Sequence, residues 1–319
     1  MATSEPWTVE RLLGWTTDYL KKQGAEQPRL EADLLLAHAC GCERIELYTQ
    51  RFKEEPDEAI RTSFRSLVKR RAEGEPTAYL LGRKEFYSLP FRVTADVLIP
   101  RPETEYLVMA LLDEAGKRTA ELNPLPEEEG GVAATAAKKG ALAKAPAFKV
   151  IDVGTGSGAI AICAAKYLPA SQVTAVDISA KALVVAEANA VDLEVSDRMT
   201  FLESDLLEAI PANARFDFVC SNPPYISQSE FDELPNLIKG YEPTVALLGG
   251  QTGCEVIERL IPQAAERLEA GGYLIMEISP MIEAPVHNLI TADGHFDPPS
   301  TTKDLAGLPR IVRARRKVR

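Results

Sequence analysis

Phe148-Lys149-Val150-Ile151-Asp152-Val153-Gly154-Thr155-Gly156-Ser157-Gly158-Ala159 joins three signals of an α/β fold in twelve residues. A short apolar run of strand length ends in a glycine-rich turn, and the turn opens into a helix from Ser157. Glycines at such a turn let the backbone approach a ligand closely, and the helix N-terminus that follows presents free N–H groups. Downstream, strands and helices alternate: QVTAVD (172–177), a helix from Ser179, RMTFLES (198–204), RFDFVCSN (215–222), a helix from Glu255 to Leu268, GYLIMEIS (272–279), a helix near Ala284 and RIVRARR (310–316). This alternation predicts an α/β domain with a doubly wound, mostly parallel sheet. Ligands of such sheets lie beyond the carboxyl ends of the strands, so the residues just after each strand are where chemistry belongs.

Upstream the pattern is helical to about residue 81, in TVERLLGWTTDYLKKQG (8–24), PRLEADLLLAHACG (28–41) and PDEAIRTSFRSLVKRRAEG (56–74), with Pro28, Pro56, Gly24, Gly41 and Gly74 as punctuation. KEFYSLPFRVTADVLIP (84–100) is extended, with Ser88-Leu89-Pro90 expected as a turn. Three parts result: an all-helical N-terminal domain (1–81) for substrate docking, a β-hairpin linker (82–102) and an α/β domain (103–319). A helix is expected near Pro102, with Glu103 and Glu105 in its first turn, fading near Lys117. Thr119 to Ala147 is rich in Ala, Gly, Pro and charge without an aromatic residue, and is expected to be a disordered insertion.

The 319 residues carry 36 Lys+Arg against 47 Asp+Glu, a formal net charge of −11. That excess of acid disfavours a general binder of nucleic acid, which needs a positive footprint. The five cysteines are odd in number and scattered, which implies a reduced compartment and no disulfide framework. Cys40 and Cys42 have no second Cys/His pair at zinc spacing, so no metal site is expected. No apolar run reaches the length of a membrane span, no signal peptide is legible, and the expected location is the cytoplasm.

The second strand of the α/β domain ends at Asp177, 23 residues after Gly154, where a carboxylate accepts hydrogen bonds from ribose hydroxyls. The turn and Asp177 together support a nucleoside-containing cofactor without choosing between NAD and S-adenosylmethionine. The choice comes at the fourth strand, which runs into Asn222-Pro223-Pro224-Tyr225. Two prolines remove two backbone donors and leave carbonyls free to accept. Asn222 adds a side-chain carbonyl, and Tyr225 a ring against which a planar group can lie. The set suits an NH2 on a planar π-system, whose delocalised lone pair must be enriched and aimed before it attacks an electrophile.

GTGSGA (154–159), Asp177 and NPPY (222–225) resemble the amino-methylating S-adenosylmethionine-dependent methyltransferases. More specifically, LGRKEFYSLPFRVTADVLIPRPETE (81–105), NPPYI, YEPTVALLGGQTG (241–253), GYLIMEIS and TKDLAGLPRIV (302–312) resemble the release-factor glutamine methyltransferases (HemK/PrmC). The resemblance covers nearly the whole chain except 119–147. It implies a Rossmann-like class I methyltransferase domain with a seven-stranded sheet, S-adenosyl-L-methionine as cofactor with S-adenosyl-L-homocysteine as product, and class I peptide-chain release factors as partners. Methyl transfer would go to the side-chain amide nitrogen (N5) of the glutamine in their Gly-Gly-Gln motif. By the same resemblance, Gly154, Thr155, Gly156, Ser157 and Gly158 line the methionine and ribose of the cofactor, Asp177 and Ile178 meet ribose and adenine, and Asp205 and Leu206 the adenine. Asn222, Pro223, Pro224 and Tyr225 hold the substrate amide as the catalytic set, Asn222 also touching the cofactor, and Arg101, Glu103 and Glu105 close a substrate-binding wall.

Two other readings share these features. NPPY and the basic tail Arg313, Arg315, Arg316, Lys317 and Arg319 also suit an adenine-N6 methyltransferase of DNA or RNA. The acidic total and a helical domain without a basic, aromatic-rich surface oppose it, and no stable nucleic-acid or membrane binding is expected. A binding module that keeps the cofactor fold only as scaffold has no need of the double proline.

Overall fold

The computed structural model describes residues 6–122, 146–234 and 239–318. The chain divides into two units, Met1–Arg83 and Lys84–Arg319. In the first, α1 (Val9–Lys22), α2 (Pro28–Cys40), α3 (Glu46–Thr49), α4 (Glu58–Ala72) and α5 (Thr77–Leu81) enclose a core of Leu13, Leu20, Leu35, Leu36, Leu47 and Phe64. Thr8 and Asp57 cap α1 and α4 by accepting from the N–H groups of Arg11 and Ile60, and Pro28 opens α2 where no N–H is needed.

A hairpin of β1 (Arg83–Phe86) and β2 (Leu89–Arg92) leads into the second unit. Its turn is Tyr87-Ser88, one residue earlier than the expected Ser88-Leu89-Pro90, and both residues have positive φ, 50° and 60°. A two-residue turn of that hand matches the twist of the strands it joins, which is why the hairpin takes it even without glycine. Phe86 and Phe91 are fully buried in the core of the second unit, and the backbone of Arg92 exchanges two hydrogen bonds with the Asn189 amide. After a 3-10 turn at Pro102–Thr104, α6 runs from Glu105 to Leu122, beyond the expected end near Lys117. Residues 119–122 therefore belong to a helix and not to the insertion. Thr119 lies buried and donates to the Ala115 carbonyl, and Leu107, Val108, Leu111 and Ala115 anchor the helix on the sheet. Residues 123–145 of the expected insertion lie outside the described residues.

The sheet is built from β3 (Lys149–Val153), β4 (Gln172–Asp177), β5 (Met199–Glu203), β6 (Phe216–Ser221), β9 (Leu268–Glu277), β10 (Ser300–Lys303) and β11 (Pro309–Arg315), while the short β7 (Ile226–Ser227) and β8 (Leu248–Gly250) pair with each other apart from it. Its order is β10-β11-β9-β6-β3-β4-β5, and β11 is antiparallel to both of its neighbours while the five strands from β9 to β5 are parallel. β10 has no alternating pattern in the sequence and is added at the edge by pairing alone. Val150, Phe218 and Ile275 face one core with α6 and α7 (Ala159–Tyr167), and Ile151, Val219 and Met276 face another with α10 (Glu255–Arg267) and α11 (Glu283–Asp293), while α8 (Ala180–Asp192) follows β4 and the short α9 (Gln228–Glu233) follows β7. Burial on both faces explains why these strands read as continuous apolar runs. From the adjacent β3 and β6 the chain proceeds outward in opposite directions, through β4 and β5 on one side and β9 on the other. The crevice at this reversal is where a doubly wound sheet holds its ligand. Among the described residues no helix is long and apolar enough to cross a membrane.

Candidate active site

A cavity of about 250 Å³ opens over the carboxyl ends of β3, β4, β5 and β6. Gly154, Thr155, Gly156, Ser157, Asp177, Ile178, Asp205, Leu206, Asn222, Pro224 and Arg101 all line it. Residues from five separate stretches of sequence thus converge on one cleft.

The loop after β3 is held from below. Thr155 Oγ1 donates to Asp152 Oδ2 at 2.6 Å, and the Ala161 N–H donates to the same oxygen at 3.1 Å. Gly154 and Gly156 have φ of 72° and 56°, and a Cβ built on either meets nothing within 4 Å, so the outer face of the loop is clear for a ligand. Gly158 differs from the expectation that it lines the cofactor. Its Cβ would stand 2.9 Å from Ile162 Cδ1 and 3.3 Å from Ala186 Cβ, so this glycine lets α7 pack against α8 (Ala180–Asp192), away from the cleft.

Asp152 is fully buried, and burial pushes its carboxyl up to about 7 against the pull of the Thr155 and Ala161 bonds. Its Oδ1 has no partner. The folded chain therefore holds this proton up to about pH 7, whereas the unfolded chain releases it near about pH 4. The sign follows: the contribution to stability is full below the unfolded value and is lost as pH rises through the folded one. Asp152→Asn keeps an acceptor for both donors and has no charge to bury. Without cofactor, the melting temperature of the wild type should fall relative to Asp152→Asn between about pH 4 and pH 7. A difference independent of pH would mean that the carboxyl is ionised throughout.

Asp177 stands at the end of β4, where its Oδ2 accepts from the Gly156 N–H and its Oδ1 from the Ser179 N–H, both at 2.9 Å. Burial raises its pKa, and the backbone donors from Ser179, Gly156 and Ile178 oppose the rise. These donors leave the carboxylate with acceptor capacity for a ligand hydroxyl. Beside it Ile178 is 52% exposed, a large apolar side chain left open at the cleft. Asp205 is tied to Arg259 at 2.6 Å, and Leu206 adopts a left-handed φ of 50°.

Asn222 follows β6, and its Nδ2 donates to Thr104 Oγ1 at 3.1 Å. With the NH2 committed, Oδ1 is the group left to accept. Pro224 also lines the cleft, but Pro223 is buried and Tyr225 is not among the lining residues. The half-buried Tyr225 ring packs against the core, and its hydroxyl donates to Glu277 Oε1 at 3.0 Å, so its polar atom is committed to the fold. The NPPY backbone is pressed by the segment 241–253. Ile226 N–H donates to the Leu247 carbonyl, and a Cβ on Gly249 would lie 2.6 Å from the Pro224 oxygen, which only glycine permits.

Arg101 donates to Glu242 Oε1 at 2.5 Å, the glutamate side chain being 3% exposed. Glu103 acts electrostatically on Tyr225, Glu277 and Arg310. Glu105 is a correction: Oε1 accepts from the Tyr87 N–H at 2.9 Å, where it secures the hairpin turn instead of lining the cleft. Sequence reasoning passed over Thr104, Leu98, Val245 and Arg259, which also line the cavity. Thr104 and Leu98 lie within a motif already noted, whereas nothing local marks Val245 or Arg259. Among the described residues no cluster of His, Cys, Asp and Glu could hold a metal ion.

Residues 11–82 match the model of the PrmC N-terminal domain and residues 135–239 that of the methyltransferase small domain. The chain is 49% identical over 307 residues to a release factor glutamine methyltransferase of Rhodopirellula baltica, covering 96% of each chain. It is 38% identical to one of Koribacter versatilis, covering 97% of this chain and 99% of that one. Among solved structures, the hMettl16 catalytic domain in complex with an RNA hairpin superposes with a TM-score of 0.52 at 14% identity, over 78% of this chain and 81% of that one, a likeness of fold.

Proposed function

The chain belongs to the release factor glutamine methyltransferases, and we propose that its cleft uses S-adenosylmethionine to methylate the amide nitrogen of the glutamine in the Gly-Gly-Gln motif of class I release factors. Near full-length relatedness carries the family, and the acceptor geometry of Asn222 carries the chemistry. The residues present fit the cofactor: the clear glycine face, the Asp177 carboxylate with its acceptor capacity, and the open apolar Ile178 suit methionine, ribose and adenine in turn. When bound, S-adenosylmethionine supplies a methyl group already activated by its sulfonium. Asn222 Oδ1 and one backbone carbonyl of the Asn222-Pro223 segment accept the two hydrogens of the substrate NH2, raising its electron density and aiming its lone pair. The work of this chain is positioning and electrostatics. No strong base is needed, because the alkylated nitrogen is very acidic and yields its proton to a nearby carbonyl or to water.

The domain roles follow the same reading: residues 1–81 dock the release factor, the hairpin joins them to the methyltransferase domain, and the enzyme works in the cytoplasm. Nucleic acid as substrate is disfavoured by the basic tail itself. Arg313 is bound to Glu114 at 2.8 Å, Arg315 lies against Tyr273, and Arg316 and Lys317 donate to the backbone carbonyls of Leu268 and Gly294. These cations are engaged by acidic, aromatic and carbonyl groups of the fold, which weakens their claim as a free stripe for phosphates. Incubating the enzyme with labelled S-adenosylmethionine and either a release factor or DNA, then locating the label by mass spectrometry, tests the proposal. The label is expected on the glutamine alone, and comparable transfer to adenine would overturn the reading.

A further inference from the structure

Three elements bring a second layer of polar groups behind Asn222. Thr104, in the 3-10 turn, is 4% exposed and accepts the Asn222 Nδ2 proton at 3.1 Å. Glu277, the last residue of β9, is 1% exposed and accepts from the Tyr225 hydroxyl at 3.0 Å. The parallel pairing that sets Ser221 beside Met276 brings Asn222 and Glu277 to the same end of adjacent strands. Burial raises the Glu277 pKa, and the hydroxyls of Thr104 and Tyr225 favour the charged form. Glu277 Oε2 is buried with no hydrogen bond of its own, so the carboxylate has acceptor capacity left.

The direction of the protons in this network matters more than its strength. A hydroxyl has one proton. If the Thr104 proton points to the carboxylate, its oxygen can only accept from Asn222, and the Asn222 amide must turn Nδ2 to Thr104 and Oδ1 to the cleft. If the Thr104 proton pointed to Asn222 instead, the amide would flip and present its NH2 to the substrate NH2, donor against donor. We propose that Thr104 and Glu277 are positioning residues that set the amide orientation of Asn222, so that Oδ1 faces the acceptor nitrogen. Tyr225 belongs to the same device, because its hydroxyl holds the carboxylate.

The inference rests on the glutamine reading, and the test separates the two. Steady-state methylation of a whole release factor is compared for wild type, Thr104→Val, Thr104→Ser and Glu277→Gln, with cofactor Kd from calorimetry and melting temperatures for each. Thr104→Val keeps shape and removes the hydroxyl. It should lower kcat about tenfold or more, with KM and cofactor Kd within about twofold of wild type. Thr104→Ser restores the hydroxyl and should recover most of the loss. Glu277→Gln replaces one carboxylate oxygen by a donor and removes the charge that draws the Thr104 proton, and should lower kcat in the same direction as Thr104→Val. In an Asn222→Ala background Thr104→Val should cost nothing further, since no amide remains to orient. Wild-type kcat in Thr104→Val, an undiminished cost in the Asn222→Ala background, or failure of Thr104→Ser to recover overturns the inference. If Glu277→Gln melts far below wild type, the Thr104 variants and the double-mutant cycle still decide. Wild-type enzyme that leaves the release-factor glutamine unmethylated overturns the functional reading itself, and the inference with it.

Discussion

Asn222→Ala is expected to leave cofactor affinity near the wild-type value while lowering turnover by at least about 10²-fold, the scale on which loss of one preorganised transition-state contact is felt. The amide nitrogen of a glutamine side chain is a poor nucleophile because its lone pair is shared with the carbonyl. Acceptors on its hydrogens strengthen as positive charge develops on nitrogen, so they act on the transition state more than on the bound substrate. Asn222 Oδ1 is the side-chain acceptor that the end of β6 offers to the cleft, its NH2 being held by Thr104. Comparison of kcat with calorimetric cofactor affinity in the variant decides the matter. Near-normal turnover would remove Asn222 from the mechanism.

The second large effect is expected for Asp177→Ala on cofactor binding. Each charge-assisted hydrogen bond to a ribose hydroxyl is worth about 1.5–3 kcal/mol before water compensates, so loss of one weakens binding by roughly 10- to 150-fold. A further loss arises in the free protein, because the same carboxylate accepts from Gly156 and Ser179 and so shapes the loop the cofactor meets. Titration calorimetry with S-adenosylmethionine should show the weakening, and titration with NAD should show no binding to the wild type. Unchanged affinity in the variant would exclude the carboxylate from the cofactor site. Tight binding of NAD would overturn the assignment of the cofactor.

Much of this molecule is legible in local sequence, and the reasons are local. QVTAVD is a strand from Gln172 to Asp177 because β-branched and small apolar residues buried on both faces leave no other reading. Ser179 caps the helix that follows because its side chain accepts from Ala182 N–H, an interaction three residues long. The order of strands and helices puts the glycine turn, Asp177 and NPPY at the carboxyl ends of their strands, since every one of these signals is written within a few neighbouring residues.

Tertiary structure alone decides where a side chain spends its polar atoms. Glu105 reads as a wall of the site from its motif, yet its carboxylate meets the N–H of Tyr87, 18 residues earlier, because the hairpin folds back onto the start of α6. Gly158 reads as a cofactor glycine, yet the approach of Ala186 claims it for packing. Tyr225 reads as an open ring, yet Glu277 at the end of a neighbouring strand draws its hydroxyl inward. The partner of Asn222 stands 118 residues away in a 3-10 turn. Periodicity and spacing report which elements form and in what order. They carry nothing about which of two distant groups satisfies a buried donor, because that pairing is set only when the elements close on one another and buried donors must find acceptors.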